Sequence, residues 1–272
     1  MRVALGQLPI SSAPQVNLDR VRAAAASAAS QGAALVVFPE GTQVRFSADL
    51  SAVAEPIDGP FCRGLAEAAE SAGLAIVASM FEPGPGGRVY NTTVGFEADG
   101  SLAAVYRKIH LFDALGHRES QAVAPGNDVV IASLAGLRVG FMTCYDVRFP
   151  ELARALAAGG ADLLVLPAAW AAGTFKEEHW VTLVRARAIE NTVWVAAAGQ
   201  VPDPAEPPTK APTGIGRSLL VDPMGVVRLD LGPTEGLGVG EVDTEQTAQV
   251  RAVLPSLAGR RTDIWLAGAP AG

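Results

Sequence analysis

Three residues able to do nucleophilic and acid–base chemistry each follow a short apolar run in this 272-residue chain. Glu40 follows Ala34 to Phe38, Lys108 follows Leu102 to Arg107, and Cys144 follows Arg138 to Thr143. A thiol is a weak nucleophile until its proton leaves, and an adjacent base or cation can activate it. Glu40 could take that proton. Lys108 could favour the thiolate and later hold a developing oxyanion. The histidines, His110, His117 and His179, show no metal-ligand spacing and do not follow comparable runs, so a Cys–His arrangement is less expected. Each residue also has a plainer reading. Cys144 could be a small buried hydrophobe. Glu40 and Lys108 could be a structural ion pair. Cys62, at the start of an amphipathic helix, reads as packing.

These side chains need elements to bring them together. A continuous apolar run of four or five residues marks a strand buried on both faces. The spacing predicts such strands at Ala34–Phe38, Leu74–Ser79, Arg138–Thr143, Leu163–Leu166 and Val193–Ala197, and a strand at Arg2–Leu8. Helices are predicted over Val16–Gln31, Phe61–Ala72, Pro150–Ala158, Glu177–Thr192 and Thr244–Leu254, with Pro early in one and Gly closing two others. Asp99-Gly100 and Asp222 to Gly225 sit between strand-like runs and read as hairpin turns. Ala114–Gly126 reads as a loop containing Glu119. Val201–Pro212, with five prolines, reads as a surface loop rather than a linker. Strand ends on one edge of such a sheet converge on a shared crevice, which would gather Glu40, Lys108 and Cys144. Cys144 would sit on a tight strand-to-helix turn, with the next backbone N–H, that of Tyr145, facing whatever it attacks.

Composition narrows the class. Apolar residues make up 49% and charged residues 18%, enough for a sizeable core. The net charge of −7, without a basic block, argues against a nucleic-acid partner. Two separated cysteines do not make a disulfide framework and fit a reducing compartment. Met1 to Pro9 does not read as a signal peptide, and no uncharged apolar run suits a membrane span. The cytoplasm is the expected location, and one domain over 1–272, with an exposed tail from 258 to 272, the expected organisation.

Phe38-Pro39-Glu40, Tyr106 to Asp113 (YRKIHLFD) and Thr143 to Glu151 (TCYDVRFPE) resemble the three signature stretches of the carbon–nitrogen hydrolase, or nitrilase, superfamily. His179-Trp180, Arg185–Asn191 and Val221–Gly225 resemble further family segments. The resemblance implies an α/β fold, a four-layer α-β-β-α sandwich with two mixed sheets. It implies a homodimer or larger homo-oligomer and neither metal nor cofactor. It makes Glu40 the general base, Lys108 the oxyanion stabiliser, Cys144 the nucleophile and Glu119 a second glutamate of the site, although composition alone would leave Glu119 a solvated loop residue.

The Cys-Tyr-Asp-x-Arg-Phe-Pro-Glu form is similar to omega-amidases and deaminated-glutathione amidases, whereas nitrilases usually carry Trp-Glu after the cysteine. The expected substrate is a small amide bearing a carboxylate. Tyr145 is the expected backbone oxyanion donor. Arg148, Trp170 and Arg217 are candidate substrate-binding residues, with bracing of the turn an alternative for Arg148 and a core position for Trp170. An N-carbamoyl amino acid hydrolase, or an idle binding subunit, are the rival readings. Three segments depart from the amidase pattern: the short loop between Asp113 and Glu119, Gly216-Arg217-Ser218, and Phe175 to Glu178. All three are expected at the pocket rim.

Overall fold

A computed structural model describes residues 1–261, so the tail expected over 258–272 falls mostly outside the described residues. The first sheet is built from β1 (Arg2–Gln7), β2 (Leu35–Val37), β3 (Ala75–Pro83), β4 (Val89–Phe96), β5 (Leu102–Arg107) and the two-residue β6 (Val123–Ala124). The second uses β7 (Ile131–Leu134), β8 (Leu137–Phe141), β9 (Leu163–Ala168), β10 (Trp194–Gly199), β11 (Leu219–Val221) and β12 (Val227–Asp230). The chain then returns through β13 (Gly236–Glu241) to the free edge of β1. The strand orders are β13-β1-β2-β3-β4-β5, with β6 on β4, and β12-β11-β10-β9-β8-β7. Both sheets mix parallel centres, β1-β2-β3 and β8-β9-β10, with antiparallel flanks.

The period of two assigns the faces of the first sheet. Val3, Leu5, Leu35, Val37, Ala75 and Val77 pack inward with Val139, Phe141 and Val165 of the second sheet. Ala4, Val36, Ile76 and Ala78 face the other way, against Leu18, Val21 and Ala25 of α1 (Pro14–Ser30) and Phe61, Leu65 and Ala68 of α3 (Pro60–Ala72). The short α2 (Leu50–Val53) lies between those helices in sequence. The outer face of the second sheet is covered by α4 (Pro150–Ala158) and α5 (Lys176–Asn191), whose Leu152, Leu156, Trp180, Val184 and Ala188 are buried. The result is four layers, α-β-β-α, as the resemblance implied. The sheets approach closely at β4: a Cβ on Gly95 would sit 3.2 Å from Phe141 Cζ, tighter than ordinary contact. A last helix, α6 (Thr244–Val253), follows β13.

Most elements fall where the sequence patterning puts them. The differences come from tertiary pairing. β3 runs on to Pro83, beyond the predicted Ser79, because β4 pairs with it along its whole length. The segment predicted as a loop over 114–126 holds a 3₁₀ turn at Glu119–Gln121 and the strand β6, which pairs with the start of β4. Neither α2 nor β7 carries a periodic signal long enough to predict. β2, β3 and β5 run in one direction and β4 in the other, so the ends of β2 and β5 and the start of β4 share one edge.

Candidate active site

At that edge the chain passes from β2 through Phe38 and Pro39 to Glu40, which is 1% exposed. Its carboxylate is fully engaged. Oε1 accepts from Lys108 Nζ at 2.9 Å and from Asn91 Nδ2 at 2.8 Å, and Oε2 accepts from Ala169 N, just past β9, at 2.9 Å. Gln200, just past β10, donates to the Glu40 carbonyl. A residue carried by the first sheet is thus clamped by the second.

Lys108 leaves β5 directly and is fixed there by its backbone, which donates to Asn91 O and accepts from Gly126 N. Its ammonium sits between two carboxylates, 2.9 Å from Glu40 Oε1 and 2.8 Å from Glu119 Oε2. Burial opposes the Lys108 charge, but Glu119 and Glu40 outweigh it and hold the ammonium well above the ordinary lysine range. The Glu119 carboxylate also accepts from Phe112 N at 2.7 Å and Asn91 Nδ2 at 3.3 Å. Removing Lys108 would leave two buried carboxylates without a counter-charge, at a cost of about 3–5 kcal/mol.

Cys144 opens a 3₁₀ turn, Cys144–Arg148, between β8 and α4. It is 8% exposed and has φ 46°, a left-handed conformation that non-glycine residues adopt only when their surroundings impose it. Asp146 imposes it. Its buried carboxylate accepts from Thr143 N at 2.8 Å, Tyr106 Oη at 2.6 Å and His110 N at 3.0 Å. The His110 ring lies 2.8 Å from Asp146 through Nδ1 and stacks on Phe149 at 3.7 Å. The cysteine turn is therefore bolted to residues two positions either side of Lys108. Burial pushes the Cys144 thiol well up, the Glu40 carboxylate adds to the rise, and the Lys108 ammonium opposes it. The expected pull of Lys108 towards the thiolate is thus present but set against burial and the Glu40 carboxylate.

These groups line a cavity of about 200 Å³ together with Tyr145, Trp170, Phe112 and Lys176. The volume is small against ligand pockets in general, which fits a substrate of few atoms. Two carboxylates and an ammonium beside a nucleophile form an arrangement for transferring an acyl group and shuttling its protons.

A family model described as carbon-nitrogen hydrolase matches residues 2–252. The chain belongs to the carbon–nitrogen hydrolase family. A Mycobacterium tuberculosis hydrolase is 43% identical over 259 residues, 92% of each chain. A deaminated glutathione amidase from Escherichia coli is 38% identical, over 96% of this chain and 97% of its own. A glutamate-to-glutamine variant of the amidase from Nesterenkonia sp., carrying the acetamide moiety of fluoroacetamide on its active-site cysteine, superimposes with a TM-score of 0.82 at 30% identity, over 98% of this chain and 97% of that one.

Within this carbon–nitrogen hydrolase, Glu40, Lys108, Glu119 and Cys144 line one cavity, and Tyr145 and Trp170 line it with them. Trp170 is also 2% exposed, so wall and core are one position here. Arg148 is not among the lining residues; its guanidinium lies 4.9 Å over the Trp170 ring and meets His179 Nδ1 at 3.4 Å. Arg217 is a correction. It lines a separate surface hollow with Phe175 and Glu177, and its guanidinium is taken up by Asp230 and Glu177. Two acidic neighbours already satisfy it, so it has no place in the substrate cavity. Of the three departures expected at the rim, the loop before Glu119 brings His117 and Arg118, and the Phe175 to Glu178 segment, at the start of α5, brings Lys176. Sequence reasoning missed Asn91 and Asp146 as positioning residues. Asn91 stands in a polar run, Asn91-Thr92-Thr93, inside an otherwise apolar strand, and that was its only signal.

Proposed function

We propose that this enzyme hydrolyses small linear amides, carboxylate-bearing ones in particular, through a thioester on Cys144. The observation that carries the reading is the Lys108 ammonium held between Glu40 and Glu119 in the same small cavity as the thiol. Glu40 takes the thiol proton as sulfur attacks the amide carbon. The carbonyl oxygen becomes an oxyanion beside Lys108 and the N–H of Tyr145, which lies at the start of a 3₁₀ turn where N–H groups lack partners within the turn. One such donor contributes roughly 3 kcal/mol to the transition state. Protonated Glu40 passes its proton to the nitrogen, the C–N bond breaks and ammonia leaves. Water then attacks the thioester while Glu40, aided by Glu119, takes one of its protons. The C–S bond breaks, the acid departs, and Glu40 returns the proton to sulfur. With two carboxylates and one ammonium coupled so closely, protonation belongs to the cluster rather than to single residues.

The test is ammonia release from a panel of small amides, combined with mass spectrometry of the enzyme on a slow substrate. The expected result is a mass increase on Cys144 equal to the acyl group and removable by hydroxylamine. Release of CO₂ together with ammonia from N-carbamoyl amino acids would favour the carbamoyl hydrolase instead. Neither product nor adduct from any substrate would leave a binding subunit.

A further inference from the structure

The polar run of β4 supplies a side chain that takes no part in the bond changes at Cys144. Asn91 is fully buried, yet its amide nitrogen donates to two carboxylates, to Glu40 Oε1 at 2.8 Å and to Glu119 Oε1 at 3.3 Å. Chemistry fixes this orientation: turned over, the amide would set its own oxygen against two carboxylate oxygens. Held this way, Asn91 Oδ1 has no partner among the described residues. An asparagine serving stability alone would pair both ends, because a buried polar atom left unpaired is costly. The Asn91 backbone contributes separately, accepting from Lys108 N at 2.9 Å. Asn91 thus bonds to Glu40, Lys108 and Glu119 without being among the residues that line the cavity.

A carboxylate offers about four lone-pair positions, two on each oxygen. On Glu119 both oxygens accept twice. Oε1 faces Lys108 Nζ at 3.1 Å and Asn91, and Oε2 faces Lys108 Nζ at 2.8 Å and Phe112 N at 2.7 Å. On Glu40, Oε1 is likewise filled by Lys108 and Asn91, whereas Oε2 accepts only from Ala169 N at 2.9 Å. Glu40 Oε2 therefore keeps room for a proton, and both positions that Asn91 fills lie on other oxygens. The remaining titratable groups facing this pair are Cys144, from the turn after β8, and His117, Arg118, Tyr145 and Lys176 on the cavity wall.

Resting on the amidase reading above, we propose that Asn91 is a positioning residue that assigns the travelling proton to Oε2 of Glu40 by closing Oε1 of both carboxylates to it. As sulfur attacks, the S–H bond breaks and a lone pair of Oε2 takes the proton. The sulfur pair forms the S–C bond while the carbonyl π pair moves to oxygen. The same Oε2 then gives the proton to the leaving nitrogen. Glu119, with its lone pairs occupied, contributes charge and not a proton seat.

Two variants open the closed positions. Asn91→Leu keeps the shape and removes the donor. Asn91→Thr suits a strand, but its short hydroxyl cannot reach both carboxylates. The backbone bond to Lys108 stays in each. With a donor lost from both anions, the acid limb of the kcat/KM profile should move up by about one pH unit. On the plateau kcat should fall about tenfold and KM should stay within about threefold. A merely structural role would lower the active fraction and leave the limb in place. Carbon-13 NMR of enzyme labelled at the glutamate carboxyls, assigned with Glu40→Gln and Glu119→Gln, locates the proton without turnover. The first proton the pair takes up should reside on Glu40 in the wild type and be shared with Glu119 in Asn91→Leu. An acid limb unmoved in both variants, a proton anywhere but Glu40 in the wild type, or one confined to Glu40 in the variant overturns the proposal. If no amide is turned over but both NMR patterns appear, the amidase reading fails and the assignment to Asn91 stands.

Discussion

The molecule contains two thiols in outwardly similar places, and only one has chemistry around it. Cys62 and Cys144 are both buried and both lie in the opening residues of a helical segment. A helix N-terminus favours a thiolate, yet both thiols are pushed up, Cys62 to about 12. For Cys62 burial is the first cause, with Glu55, Glu82 and Asp58 adding to it. Glu55 also caps its helix, accepting from Phe61 N at 2.6 Å and Cys62 N at 3.1 Å, so the N–H groups that might have served the sulfur serve a carboxylate. Cys144 has carboxylates nearby as well. The difference is a buried ammonium, an open cavity and a carboxylate placed to accept the proton. The two thiols thus differ in the groups and the open space beside them, not in the direction in which burial pushes them.

The largest expected effect separates the two thiols outright. Cys144→Ala should lose turnover by about 10⁴-fold or more, as nucleophile deletions do, whereas Cys62→Ala should change kcat by less than about twofold and cost about 1 kcal/mol of stability. Steady-state ammonia release and urea midpoints measure both. Comparable kinetic losses in the two variants would erase the distinction.

Glu40→Gln sharpens it. Loss of a general base typically costs 10²–10⁴-fold, and amide turnover should fall by about that much. The same substitution removes a charge that opposes the thiolate, so alkylation of Cys144 by iodoacetamide should persist within about tenfold of wild type. If alkylation collapses along with turnover, Glu40 holds the turn in shape rather than carrying a proton.

The smallest effect is on stability at high pH. A thiol with an ordinary value of 9.0 that rises to about 12 on folding favours the folded state fully below pH 9, and that contribution is lost as pH climbs from 9 towards 12. Cys144 and Lys108 shift in the same direction, so the signature of Cys62 is a difference: Cys62→Ala should show a shallower alkaline decline of the urea midpoint than wild type. Parallel declines would mean the Cys62 thiol is not held protonated by the fold.

How much of this was legible beforehand follows the same physics. Glu40, Lys108 and Cys144 stood out because a strand buried on both faces is an apolar run, and a charged or nucleophilic residue at its end breaks that run. Asn91 and Asp146 did not stand out, because what they do depends on partners far away in the chain, Asn91 on Glu40 and Asp146 on Tyr106. Lys176 was visible only as a departure at the rim; its inward direction depends on the left-handed turn at Phe175, which no propensity of Phe announces. Arg217 was misplaced because a sequence shows an arginine but not the Asp230 and Glu177 waiting beside it.

The clamp on Glu40 has a consequence for the order in which the molecule assembles. Glu40, Asn91 and Lys108 belong to one sheet, while Cys144, Ala169 and Gln200 belong to the other. Neither half can form the site while the other is loose. The first sheet is itself closed at its far edge by a late strand, with Arg2 paired to Glu241. Contacts so distant along the chain form late, after the local hairpins and helices. On refolding from denaturant, helical signal should therefore return ahead of activity, and turnover should track the slowest phase. The reaction is in this sense a clock for the docking of the two sheets.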